Sequence, residues 1–368
     1  MKWGKTVFVR NDNTKIRFDA LDGLRGLCAC CVFFFHRSIW QDFMASGFQP
    51  VGWLSNLLSG GSKLGVSIFF VLSAFLFTRK ILNNEISNPI TFVVGRFFRI
   101  APLCWLVVLF VIAFAFADNG SIGLSYTDFF RRLAIWFSGG LRDGPTPLVQ
   151  PMEWWHFVAG NWWTLRHEWL LYALVPAVAG LINKSRARLM YFGTTVVMLA
   201  AFKGIPSVLL HAANLSFIGG AILAMIVNRP AKKWLLILSI FTSVFSLTNI
   251  FDFPGYVPYA IPATTITYLV LRDNKLQRLL STNAIRMVGE SSYSIYMLHG
   301  IVILLTTKLI RSTTWIPYSI TCLVQFLVLL AVSRLVYLLI ELPGVRIGKY
   351  LTTRLFGMDK SVTTTVTN

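Results

Sequence analysis

Acidic residues are scarce in this chain, with 15 Asp and Glu against 34 Lys and Arg in 368 residues. Charge of either sign is scarce too, at 13%, where a soluble protein of this size carries about a quarter. That deficit excludes an ordinary water-soluble enzyme. The chain also lacks cysteines at metal-binding or disulfide-framework spacing. Cys28, Cys30, Cys31, Cys104 and Cys322 all fall in predicted helices and read as small apolar residues, so no metal is expected. No glycine-rich phosphate loop and no Gly-x-Ser-x-Gly elbow occurs. Apolar residues are abundant instead, at 55% of the chain. The net charge of +19 does not gather on one basic face as a nucleic-acid partner requires. The cations punctuate apolar segments, which is the pattern of cytoplasmic loops. The N-terminal stretch holds Lys2, Lys5, Arg10, Lys15 and Arg17 and lacks a cleavable signal pattern. The first apolar helix is therefore expected to stay in the mature protein.

These features predict an all-α integral membrane protein of ten transmembrane helices. The spans read as 22–41, 63–82, 98–117, 163–183, 188–203, 207–228, 233–251, 256–272, 288–310 and 315–340, several near the twenty residues a bilayer requires. Residues 126–138 are too short and too charged to cross and read as an interfacial or re-entrant helix. Placing both termini in the cytoplasm puts most Lys and Arg inside, among them Arg79, Lys80, Lys184, Arg186, Lys232 and Lys275. Counting 126–138 as a crossing would reverse every later loop and spoil that asymmetry. The expected organisation is one transmembrane domain over 1–345 and a cytoplasmic tail over 346–368 with a disordered end. A multi-pass protein of the cell membrane, inner or plasma, is implied.

Ionisable residues inside a bilayer are costly and mark function. Arg25 and His36 bracket the apolar run Gly26–Phe35. Eleven residues at about 100° each return to nearly the same helix face, roughly 16 Å along the axis. An imidazole there can take a hydroxyl proton, and a guanidinium can grip phosphate oxygens or a polarised carbonyl. Glu168, about a turn into the fourth span, is expected at the depth of His36 and positioned to orient it. Arg96 and Arg99 open the third span three residues apart on one face, fit to hold a polyphosphate. His299 falls near the midplane of the ninth span, between a structural hydrogen bond and a site role. The outer segment 118–162 and Trp163 supply flat aromatic faces that suit an interfacial belt, a sugar ring, or both.

In order along the chain, these pieces resemble the membrane acyltransferase-3 family. The matching residues are Leu21-Asp-Gly-Leu-Arg25-Gly26 with His36, an Arg-x10-His signature, and Gly65-Val-Ser-Ile-Phe-Phe-Val-Leu-Ser73. Arg96-Phe-Phe-Arg99-Ile-Ala-Pro102, Trp163-Thr-Leu-x-x-Glu168-x-x-x-Tyr172, Ser292-Tyr-Ser-Ile-Tyr-x-Leu-His299 and Glu341-x-Pro343 complete the set. Ala74 departs from the family's usual glycine. The resemblance implies O-acyl transfer, acetyl being the commonest group, from cytoplasmic acyl-CoA to a hydroxyl of a surface glycan or lipid-linked sugar at the outer face. It casts His36, Arg25 and Glu168 as catalytic residues and Arg25, Arg96 and Arg99 as donor-binding residues. Ser73, Trp163, Tyr293 and His299 would line the substrate path, with Arg25, Ser73 or Tyr293 as the oxyanion donor. A proton-coupled transporter of an anionic solute is the rival reading, and the absence of internal repeats counts against it.

Overall fold

The computed structural model describes residues 12–43, 52–117, 125–141, 155–182, 188–201, 211–228, 256–309 and 315–356, together with Ile237 and Phe241. Apart from those two positions, the expected span at 233–251 lies outside the described residues, as do 361–368. Among the described residues every element is helical and none is a strand. In chain order they are α1 (Asp12–Phe43), α2 (Gly52–Leu82), α3 (Pro89–Ala117), α4 (Tyr126–Phe137), α5 (Trp155–Ile182), α6 (Arg188–Ala200) and α7 (Asn214–Ile226). Then follow α8 (Ala260–Arg272), α9 (Asn274–Leu280), α10 (Asn283–Glu290), α11 (Ser292–Leu309), α12 (Trp315–Val336) and α13 (Leu342–Phe356).

Among the described residues four stretches are long and apolar enough to cross a membrane: Gly52–Leu82, Pro89–Ala113, Asn161–Ile182 and Ser319–Leu355. The bent pair α10 and α11 makes a fifth if it is one span. Only 17% of the most apolar stretch in Ser319–Leu355 is buried, and Leu323, Leu327, Leu335 and Leu339 point outward. A surface so apolar calls for lipid rather than water. The long α1 is not among these spans, because Asp22, Arg25, His36 and Arg37 interrupt its apolar run. At 12 residues, about 18 Å, α4 is too short to cross.

Several helices begin earlier than hydropathy suggests, and this shifts the polar residues inward. The third starts at Pro89, not near 98, because the Asn88 side chain accepts from the amides of Ile90 and Thr91 at 2.8 and 3.3 Å. An Asn cap followed by proline at the first helical position is a strong start signal. Arg96 and Arg99 thus lie two to three turns inside α3 rather than at its opening. The expected straight span 288–310 is bent by 70° between Glu290 and Ser292. The last helix does not stop at Pro343. A π-helical stretch, Tyr337–Glu341, carries it through to Phe356. The widened turn accommodates a residue that cannot donate an amide hydrogen bond.

α1 is central to the packing. It lies against α2, α9, α10 and α11, and α2 in turn carries α7 and α8. Gly26 of α1 meets the backbone of Gly289 in α10, and a side chain at Gly289 would collide with the Asp22 carbonyl. Backbone-to-backbone approach of this kind needs residues without a Cβ. One apolar core gathers Phe33, Val107, Trp162, Ile295 and Ile303. The other gathers Leu21, Val71, Phe75, Leu223 and Leu271.

Candidate active site

The contact of Gly26 with Gly289 sets Arg25 against a cavity of about 360 Å³ enclosed by α1, α2, α3, α5 and α11. Four cations line it, Arg25, Lys80, Arg96 and Arg99, against two carboxylates, Asp22 and Glu168. Arg25 is held by Asp22 at 2.8 Å, one turn back on the same helix. Arg96 lies over the rings of Phe77 and Phe92, at 5.6 and 6.0 Å from their centroids. The cation is thereby stabilised by ring faces, and its Nε has no hydrogen-bond partner among the described residues. Arg99 is attracted by the buried Glu341, which accepts from Ser294 Oγ at 3.0 Å. A set of cations in low dielectric, one with an unbonded N–H, is suited to hold a multiply charged anion.

Ser73 and Tyr293 also line the cavity. Tyr293 donates its hydroxyl proton to the Ile100 carbonyl at 3.1 Å and lies 3.3 Å from Cys104 Sγ. Its one O–H is therefore committed.

His36 and His299 form a second group. His36 Nδ1 and His299 Nε2 are 3.0 Å apart, and His299 Nδ1 lies 2.7 Å from the Tyr296 carbonyl. Tyr296 joins the two groups. Its side chain lines the cavity, its hydroxyl bonds Thr164 at 2.9 Å, and its carbonyl also accepts from Asn161 Nδ2 at 2.8 Å.

Six of the residues singled out from the sequence line one cavity: Arg25, Ser73, Arg96, Arg99, Glu168 and Tyr293. His36 and His299 stand together beside it. Trp163 is not among the lining residues: its ring packs edge-on against the cavity-lining Phe70 at 6.1 Å and against Tyr256, His167 and His211 at centroid distances of 4.9, 5.4 and 5.5 Å. The expectation that Glu168 orients His36 meets a different geometry, in which Glu168 accepts from the Tyr172 hydroxyl at 2.9 Å. α5 begins at Trp155, so Glu168 lies about 20 Å along it and reaches the cations rather than the imidazole. Lys80, Asp22 and Tyr172 were not singled out as site residues. Each carried a signal: Lys80 follows Ser73 by seven residues, Asp22 precedes Arg25 by three and Tyr172 follows Glu168 by four. These spacings place each on the face of its named neighbour.

Described residues that are helical in every element, with lipid-suited faces, mark a membrane protein, and its cavity is lined with cations. A family described as an acyltransferase domain matches residues 18–340, most of the chain, and the protein belongs to that acyltransferase-3 family. Among curated proteins, BcsY of Komagataeibacter xylinus, named as a membrane-bound transacylase, is 28% identical over 200 residues. The match covers 51% of this chain and 43% of that relative, so the chain spans less than half the relative's length. No solved structure matches.

Proposed function

We propose that this protein is a membrane O-acyltransferase. It moves an acyl group, acetyl in the simplest case, from acyl-CoA on the cytoplasmic side to a hydroxyl of a glycan or lipid-linked sugar on the outer side. The observation that carries this reading is the cavity, where Arg25, Lys80, Arg96 and Arg99 outnumber the carboxylates and Tyr296 links the wall to His36 and His299. Ten spans with both ends inside agree with the distribution of cations along the sequence. The residues present fit acyl-CoA as donor. The unbonded Arg96 Nε, with Arg99 and Lys80, suits phosphate oxygens. Phe69, Phe70 and Leu76 suit the apolar part of an acyl-pantetheine arm.

In this mechanism the acceptor hydroxyl gives its proton to His36 as its oxygen bonds to the thioester carbonyl carbon. The carbon–sulfur bond then breaks, and the proton passes from His36 to the departing thiolate, so the imidazole is neutral again. The carbonyl oxygen gains charge on the way and needs a donor. Arg25, which keeps N–H groups beyond the one on Asp22, and Ser73 are the available candidates. Tyr293 is not, because its proton serves Ile100. Glu168 balances the cavity's cations and keeps Tyr172 in place.

The experiment is release of free coenzyme A by purified protein given acetyl-CoA and candidate glycan acceptors, comparing wild type with His36→Ala. Release by wild type that His36→Ala abolishes is the expected result. Wild-type turnover in the variant would overturn the role of His36. Silence of the wild type with every acyl donor and acceptor would favour transport of an anion instead.

A further inference from the structure

The hydrogen bonds of His299 leave one protonation pattern for the imidazole pair. A carbonyl can only accept, so the 2.7 Å contact of His299 Nδ1 with the Tyr296 carbonyl requires a proton on Nδ1. In a neutral ring the other nitrogen is then a bare lone pair. His299 Nε2 must accept, and its partner at 3.0 Å, His36 Nδ1, must donate. His36 therefore carries its proton on Nδ1, and the lone pair of its neutral ring is at Nε2. The Val32 carbonyl, four residues back on α1, also bonds the His36 ring. His167 shows the local geometry of such a bond, Nδ1 to the carbonyl of Trp163 four residues back at 2.8 Å.

We infer that His299 is a positioning residue that fixes His36 in the Nδ1–H tautomer, aiming Nε2 at the acceptor hydroxyl and sharing the positive charge when that nitrogen takes the proton. The inference rests on the reading of His36 as the base. The chain of bonds runs Tyr296 carbonyl, His299, His36, and it uses a neutral imidazole where a carboxylate would otherwise orient the base. His299 is 2% exposed, while the His36 ring is half-buried. Water thus has little access to the anchoring ring. When His36 becomes an imidazolium, its Nδ1–H bond to His299 strengthens because the donor is now charged. The proton taken at Nε2 leaves from the same atom to the thiolate, and His299 ends as it began.

Two measurements test this. Magic-angle-spinning NMR of ring-labelled histidine in lipid, with His36 assigned by its loss in His36→Ala, reads the tautomer directly. Wild type should show His36 protonated at Nδ1 and bare at Nε2. His299→Leu, in which only the Val32 carbonyl still draws the Nδ1 proton, should raise the Nε2–H share of His36 above that of wild type. An Nε2–H signal for His36 in wild type, or an unchanged spectrum in His299→Leu, overturns the inference. In turnover, His299→Leu should lower kcat by roughly 100-fold, the lower range for losing acid–base function, with the donor KM within about twofold. His299→Gln, whose amide oxygen can accept from His36 Nδ1, should recover most of it. If His36→Ala is inactive while His299→Leu turns over like wild type, the positioning role falls and the proposed function stands. If His36→Ala turns over normally, the role of His36 falls first. Should His299→Leu fail to fold, the wild-type His299 ring decides: it must be protonated at Nδ1 with Nε2 accepting from His36, and an Nε2–H signal for His299 overturns the inference.

Discussion

The two ends of the site on α1 have opposite chemistry. Around Arg25, four cations line the cavity against two carboxylates, and Arg96 Nε has no hydrogen-bond partner among the described residues. Around His36, polar groups form a chain of bonds through His299 to Tyr296. The first end lines its cavity with more positive than negative side chains. The second has its bonds made and one imidazole edge left for a proton. On the proposed reading one helix carries a binding end and a reacting end, about 16 Å apart, and the two should fail differently when broken.

The largest effect is expected from His36→Ala. Removing the base should lower transfer by roughly 10²–10⁴-fold while coenzyme A binding, read by calorimetry, stays as in wild type. Loss of binding in that variant would mean the two ends are not separable. Next comes the pair Arg96→Ala with Arg99→Ala. Each charge-assisted bond lost is worth about 1.5–3 kcal/mol, so the donor KM should rise at least tenfold with kcat little changed. An unchanged KM would make these arginines anchors of topology alone. Gly289→Ala places a methyl group against the Asp22 carbonyl and should destabilise the fold by about 1–3 kcal/mol. Because the strain falls on α1, which carries both ends, KM and kcat should worsen together along with the melting temperature in detergent. A change in only one of them would contradict a rigid α1. The smallest effect belongs to Tyr172→Phe, which deletes the bond to Glu168 at about 0.5–1.5 kcal/mol. A donor KM altered a few-fold at constant kcat would place Glu168 with the binding end. A fall in kcat alone would return it to the reacting end.

Much of this was legible in the chain. The spacing of Arg25 and His36 holds on the continuous α1, and the ordered motifs correspond to the family match over 18–340. The membership of Glu168 was less legible. Hydropathy locates the apolar middle of a helix and trims its polar turns, so it starts the fourth span at 163 although α5 begins at Trp155. The same trimming put Arg96 and Arg99 at the opening of α3, despite the Asn88–Pro89 start signal. Polar turns inside membrane helices are where sites are built, and an apolar window is blind to them. The continuation through Pro343 was hidden for another reason. Proline normally ends a helix, and only the π-helical stretch before it allows passage.

Composition and motif order by themselves determined that the chain is built of helices, belongs in a membrane and carries the ordered motifs of the acyltransferase-3 family. Periodicity could place residues on faces, because a helix has a constant angle per residue. Tertiary structure alone decided which faces meet: Glu168 with the cations, His299 with His36, Trp163 against His211 and Tyr256. Those choices depend on where each helix starts and how it is rotated against its neighbours. Here the close contact of Gly26 with Gly289 and the 70° bend between α10 and α11 set the rotation, and neither can be read from one helix alone.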